Sequence, residues 1–174
     1  MTIHTSDPFA TPDDARSPVR RLRGRLPAGV TLWTAYGRDA RPTGLTVSST
    51  IVIDGEPGQL LGALDEESQL YEAVRDSGRF AVMPLRESDS RLADRFAGLL
   101  PAPGGPFVGH GWRPTPYGPV LDGVSAWAGC VLAQARPVGW SMLVEANVAE
   151  VELGPDGDAP LVHHRGRYVV VNRP

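Results

Sequence analysis

Gly44-Leu45-Thr46-Val47-Ser48-Ser49-Thr50, continued by Ile51, Val52 and Ile53, is the stretch whose reading decides the fold. The β-branched Thr46, Val47, Thr50, Ile51, Val52 and Ile53 favour an extended backbone. Ser48 and Ser49 place two small hydroxyls in the middle of that apolar run, and hydroxyls buried in a strand need partners. Two readings are open. Either the serines mark a bulge or bond to their own backbone, or they form a strand edge whose amides and hydroxyls face a flat polar ligand.

Outward from this stretch the chain reads as short strands separated by turns. It has 174 residues, 20 of them glycine and 17 proline, with 41% hydrophobic content, which favours strands and turns over a helical bundle. Upstream, Asp13 or Asp14 can cap a helix reaching Arg25, its start delayed by Pro18. Gly29 to Ala35 is a strand, and Gly37 to Pro42 is a turn joining it to the Ser48-Ser49 strand in an antiparallel hairpin. Downstream come a turn over Asp54 to Gly58, a strand over Leu60 to Leu64, and a helix capped by Ser68 and stopped by Gly78. A strand over Phe80 to Leu85 follows. A second helix starts at Ser88 or Ser90, carries Leu92, Ala93 and Phe96, and closes at Gly98.

Pro101 to Gly118 is a long loop in which Trp112 is either a core plug or a ligand-facing aromatic. Strands then follow over Ser125 to Pro137, Met142 to Leu153, Leu161 to His163 and Tyr168 to Val171. The expected fold is mostly β, a closed β-barrel with a few short helices. A loose tail over residues 1–11 precedes a single domain over residues 12–174.

The formal net charge of -3 and pI near 5.8 supply no field for nucleic acid or anionic lipid. The arginines at 16, 20, 21, 23 and 25 read as a solvated helix face. No apolar run approaches the roughly 20 residues of a spanning helix, so neither membrane nor nucleic acid is an expected partner and a cytoplasmic location is expected. The lone Cys130 excludes an internal disulfide and a cysteine-cluster metal site. His163 and His164 are adjacent and point to opposite strand faces, so no metal site is expected. Neither a Gly-x-Ser-x-Gly elbow nor a Gly-x-Gly-x-x-Gly turn occurs. Amides near Ser68 form an anion site in principle, but Asp65, Glu66 and Glu67 beside them repel a phosphate.

In order along the chain stand Gly29-Val30-Thr31, Gly44 to Ser49, Pro57, Asp65 with Ser68, Ser77 to Val82, Leu92 to Gly98, Gly118 to Leu121, Cys130, and His164-Arg165-Gly166-Arg167-Tyr168. From about Val19 to Tyr168 this series resembles the flavin reductase family of the FMN-binding split barrel. The resemblance implies a homodimer that binds FMN, or FAD or riboflavin, uses NADH or NADPH as electron donor, and supplies reduced flavin to a partner flavin-dependent monooxygenase. It implies flavin contacts from Thr46, Val47, Ser48, Ser49, Thr50, Asp65, Ser68, Arg79, Phe80, Arg95 and Phe96. Trp140, Ser141, His164 and Tyr168 are implied candidates for the second substrate. No catalytic side chain is expected, because hydride passes between two cofactors that the protein only has to hold in contact.

Three positions depart from the family pattern. Ser68-Gln69-Leu70 stands where Ser-x-Thr is common, beside Glu66 and Glu67. Gly139-Trp140-Ser141 stands where Gly-Asp-His is common, and Met83 replaces a frequent asparagine. These changes keep a second function open: a diverged flavin-binding barrel with weak nicotinamide turnover, acting as a carrier or on another substrate.

Overall fold

Serine before proline opens the first element, because Pro18 fits a first helical turn and the Ser17 hydroxyl accepts from the Arg20 N–H at 3.2 Å. The computed structural model describes residues 17–155, 159–169 and 171. In chain order the elements are α1 (Pro18–Arg25), β1 (Ala28–Gly29), β2 (Thr31–Tyr36), β3 (Pro42–Val47), β4 (Ile51–Ile53), β5 (Gln59–Leu64), α2 (Gln69–Ser77) and β6 (Arg79–Pro84). A 3-10 turn (Glu87–Asp89) leads into α3 (Ser90–Phe96). Then come β7 (Trp112–Arg113), β8 (Val120–Leu121), β9 (Ala126–Val138), β10 (Ser141–Leu153), β11 (Val162–His164) and β12 (Arg167–Val169).

The main sheet has seven strands in the order β3-β2-β6-β9-β10-β5-β4, every neighbouring pair antiparallel. β3 and β4 are therefore opposite edges, although only Ser48, Ser49 and Thr50 separate them in sequence. Six inter-strand spacings would hold the edges of a flat sheet about 29 Å apart, whereas the four peptide steps from Val47 to Ile51 span at most about 14 Å. The sheet must curl until its edges approach. Its ladder nonetheless stays open, since β3 and β4 do not pair; the expected closed barrel is corrected to this extent. The expected strand through Ser48 is corrected too, because it breaks after Val47 and resumes at Ile51.

One core fills the hollow of the curl. Trp33 stacks on Phe80 with centroids 4.8 Å apart, and Leu60, Leu64, Val144 and the α2 residues Leu70 and Val74 join them. Gly62 is required there, because a Cβ would lie 2.5 Å from the Trp33 ring. A second core on the outer face joins Leu32, Met83, Leu92, Phe96, Trp127 and Leu161. Trp112 is a plug of that second core, edge-on to Phe96 and Phe107, its indole N–H donating to the Phe107 carbonyl at 2.9 Å.

The helix expectations hold in detail for α2. The Ser68 hydroxyl accepts from the Tyr71 N–H, and Gly78 ends the helix at φ 66°. α3 begins at Ser90, and Gly98 follows it at φ 75° with the Leu99 N–H reaching back to the Asp94 carbonyl. The expected strand Gly29 to Ala35 is interrupted at Val30. There the backbone bonds both Leu161 and Leu85 and seats the small sheet β1-β11-β12 against the large one. Asp13, Asp14 and the expected tail over residues 1–11 lie outside the described residues, and the cap of α1 is Ser17. Among the described residues, no helix is long and apolar enough to cross a membrane.

Candidate functional site

The Ser48–Thr50 corner joins the two sheet edges, and its hydroxyls divide their work. Ser49 Oγ donates to the Ala63 carbonyl at 3.0 Å and accepts from the Ala63 N–H at 3.1 Å. It thereby bonds β5 as a strand backbone would. Thr50 Oγ1 lies 2.8 Å from Thr31 Oγ1, and the Trp33 indole N–H is shared between them at 3.1 and 3.0 Å. Thr31 Oγ1 in turn donates to the Val47 carbonyl at 2.8 Å. The hydroxyls of Ser49 and Thr50 thus sew the curled sheet together. Ser48 is exposed, and among the described residues its hydroxyl has no hydrogen-bond partner. No loop hydrogen bond among those residues engages the backbone N–H groups of Ser48, Ser49 or Thr50.

Register carries other expected residues to the same corner. Ala63 pairs with Leu143 and Leu64 with Met142, so the segment leaving β5 at Asp65 runs beside Ser141 and the hairpin tip Gly139-Trp140. Gly139 turns that tip at φ 59°, and Trp140 is fully exposed. Trp140 is therefore not packed as a loop anchor. Asp65 Oδ1 accepts from the Glu67 N–H at 3.0 Å, and Glu66 and Glu67 are exposed. The Ser68 hydroxyl is already spent, donating to the Asp65 carbonyl at 2.7 Å and accepting from the Tyr71 N–H at 3.1 Å.

The remaining expected contacts separate into three groups. The side chains of Val47, Phe80 and Phe96 are buried in the two cores. Arg79 opens β6 five residues before Pro84, and it is Pro84 that pairs with Thr31. Arg79 therefore lies about 17 Å along the strand from the corner. Arg95 Nη1 donates to the Val108 carbonyl at 3.3 Å and ties α3 to the long loop.

Thr46 and Tyr168 both reach α3 from their strands. Thr46 Oγ1 donates to the Ala93 carbonyl at 2.6 Å, and the Tyr168 hydroxyl donates to Asp94 at 3.0 Å. Burial first, and then Asp94, push the Tyr168 phenol well above its usual range, so it stays a donor. His163 lies edge-on to Tyr168 with centroids 6.1 Å apart, and burial, then Arg23 and His164, lower its pKa. His164 is half-buried on β11, paired with Arg167. Sequence reasoning missed Thr31, Trp33 and Ala63, the partners of the corner hydroxyls; their strand positions gave no hint that they would meet residues 14 to 19 places away. No group of three or more His, Cys, Asp or Glu among the described residues can hold a metal.

Chemically, the corner offers neutral donors at a sheet edge. That set fits the polar edge of a flat heteroaromatic ring. It does not extend to a phosphate, because the nearby side chains are acidic and the Ser68 hydroxyl is occupied.

Residues 23–172 match the family described as flavin reductase like domain. The chain is 32% identical over 155 residues to the actinorhodin polyketide dimerase of Streptomyces coelicolor, an alignment covering 88% of this chain and 85% of that one. It is 32% identical over 150 residues to the flavin reductase (NADH) of Kitasatospora aureofaciens, covering 84% and 77%. The structure is similar to that of a nitrilotriacetate monooxygenase component B homolog from Mycobacterium thermoresistibile, with a TM-score of 0.79, 28% identity, and 90% and 88% coverage.

Proposed function

The chain belongs to the flavin reductase like family, and on that premise we propose that it is an NADH-dependent flavin reductase whose product serves a partner monooxygenase. The observation that carries the reading is the Ser48–Thr50 corner, where three N–H groups are unspent in loop bonds and an exposed hydroxyl joins them. Those groups hold the ring edge of the flavin, with Trp140 and Ser141 on the neighbouring hairpin facing the second substrate. Bound flavin supplies the two-electron acceptor chemistry, so no acid or base is required of the protein. Its task is to hold one ring and leave a face open to another.

The curled sheet is read as a split barrel, on the strength of the opposed edges β3 and β4 joined by three residues. A homodimer is supported by β4, an unpaired edge in which Ile51, Val52 and Ile53 are 46 to 70% exposed. A monooxygenase partner is supported by the component B relative, and the use of NADH favours the cytoplasm. A second reading, a flavin-binding barrel with weak nicotinamide turnover, is favoured by Trp140, fully exposed at the β9-β10 hairpin tip where the family commonly has a smaller acidic residue.

The test is anaerobic mixing of the purified protein with NADH and with FMN, FAD or riboflavin, followed at the flavin absorption band. Bleaching at rates ordinary for enzymes, about 10 per second, is expected with at least one flavin. Flavin binding without bleaching selects the second reading, and no binding of any flavin overturns both.

A further inference from the structure

Among the described residues, the apolar faces of α1 and β4 are exposed, and their surroundings carry opposite charges. On α1, Val19 and Leu22 lie one turn apart and Leu26 continues the same side, all 61 to 77% exposed, and the helix buries no residue. Arginines at 20, 21, 23 and 25 surround that stripe. On β4, register with Leu61 and Gln59 turns Ile51 and Ile53 to the outside of the curl, because Leu60 between them faces the core. The turn that follows carries the exposed acids Asp54 and Glu56. α1 is pinned elsewhere in its own chain, since the Arg165 N–H donates to the Gly24 carbonyl at 2.8 Å and holds the helix end at the β11-β12 turn.

We infer that α1 of one copy lies across β4 of a second copy, its apolar stripe on Ile51 and Ile53 and its arginines over Asp54 and Glu56. A two-fold axis makes the contact reciprocal, so two such clasps form per dimer and each chain's α1 stripe and Ile51–Ile53 face are both buried. Because Ile51 directly follows Thr50, the clasp also steadies the corner that holds the flavin. The inference rests on the homodimer proposed above and specifies what holds it.

Cysteine trapping tests it cleanly, because the one native thiol, Cys130, is buried. In the double variant Leu22→Cys/Ile53→Cys, mild oxidation should give a covalent species of twice the chain mass, with peptide mapping showing a 22–53 link. A 22–53 link within a single chain would mean that the helix folds onto its own strand and would overturn the inference. A dimer by solution scattering with no such link overturns the clasp while leaving the dimer standing. A wild-type monomer overturns both. In a separate variant, Leu22→Asp, the dimer dissociation constant should rise at least about tenfold, equivalent to 1.4 kcal/mol; an unchanged constant goes against the clasp.

Discussion

Ser49 and Ala63 exchange two hydrogen bonds, Oγ to carbonyl at 3.0 Å and N–H to Oγ at 3.1 Å, so that a side chain stands in for a strand where the sheet edges meet. The register continues β4 into this contact, since Ile51 pairs with Leu61 two places further along each strand. Removing the hydroxyl strands both backbone groups of Ala63. Both bonds are solvent-exposed, so water can replace the lost partner and Ser49→Ala is expected to cost about 0.5 to 1.5 kcal/mol in urea unfolding, whereas Ser48→Ala, with an exposed hydroxyl that has no partner among the described residues, is expected to leave stability unchanged and weaken flavin binding. Equal stability of the two variants would contradict this division of work.

Ser68 is a helix cap in this structure, with both sides of its hydroxyl occupied. Ser68→Ala should destabilise the protein by about 1 kcal/mol. Titration calorimetry should find FMN and riboflavin bound within about tenfold of each other, or 1.4 kcal/mol, since the Ser68 hydroxyl is occupied and Glu66 and Glu67 beside it are acidic. FMN bound a thousandfold more tightly would show that another group holds it.

Trp140 touches nothing that stabilises the fold, being fully exposed at a two-residue hairpin tip. Trp140→Ala should shift stability by less than about 0.5 kcal/mol. Its effect should fall on the nicotinamide reaction, with NADH-dependent flavin reduction rising because a large ring no longer competes for the open flavin face. Steady-state kinetics with unchanged kcat/KM for NADH would remove Trp140 from the site.

His163 gives the fold an acid-sensitive point. Its folded-state pKa is lowered from 6.5 by burial, then by Arg23 and His164, with Tyr168 packed against its ring. A depressed histidine pKa means that the unfolded chain takes up the proton first as pH falls. Its contribution is therefore complete above about 6.5 and is lost as pH falls through the lower, folded value. Melting curves from pH 8 to 5 should show a smaller loss of stability in His163→Gln than in the parent chain; identical slopes would exclude this role.

Cys130 is buried on β9, and burial pushes its thiol up to about 12. At pH 8 it should not react with a thiol reagent in the folded protein, and it should react fully in urea. Reaction at the same rate in both states would show that β9 opens in the native protein.

Local physics made much of this molecule legible in its sequence. A capping serine and a left-handed glycine bound α2, and turn residues between β-branched runs set the β2-β3 and β4-β5 hairpins, because these preferences act over a few residues. The same locality made the corner ambiguous. Ser48, Ser49 and Thr50 read as one polar interruption in a single strand, and nothing within ten residues shows that Thr46 and Val52 end on opposite sheet edges. Strand pairing across long separations decided that, and with it which hydroxyls are spent: Ser49 on Ala63, Thr50 on Thr31 and Trp33, and Ser48 on no partner among the described residues. Burial of Phe80 and Phe96 was likewise a tertiary outcome, since an aromatic beside a site and an aromatic beneath it have the same sequence signature until the sheet curls and one side becomes the core.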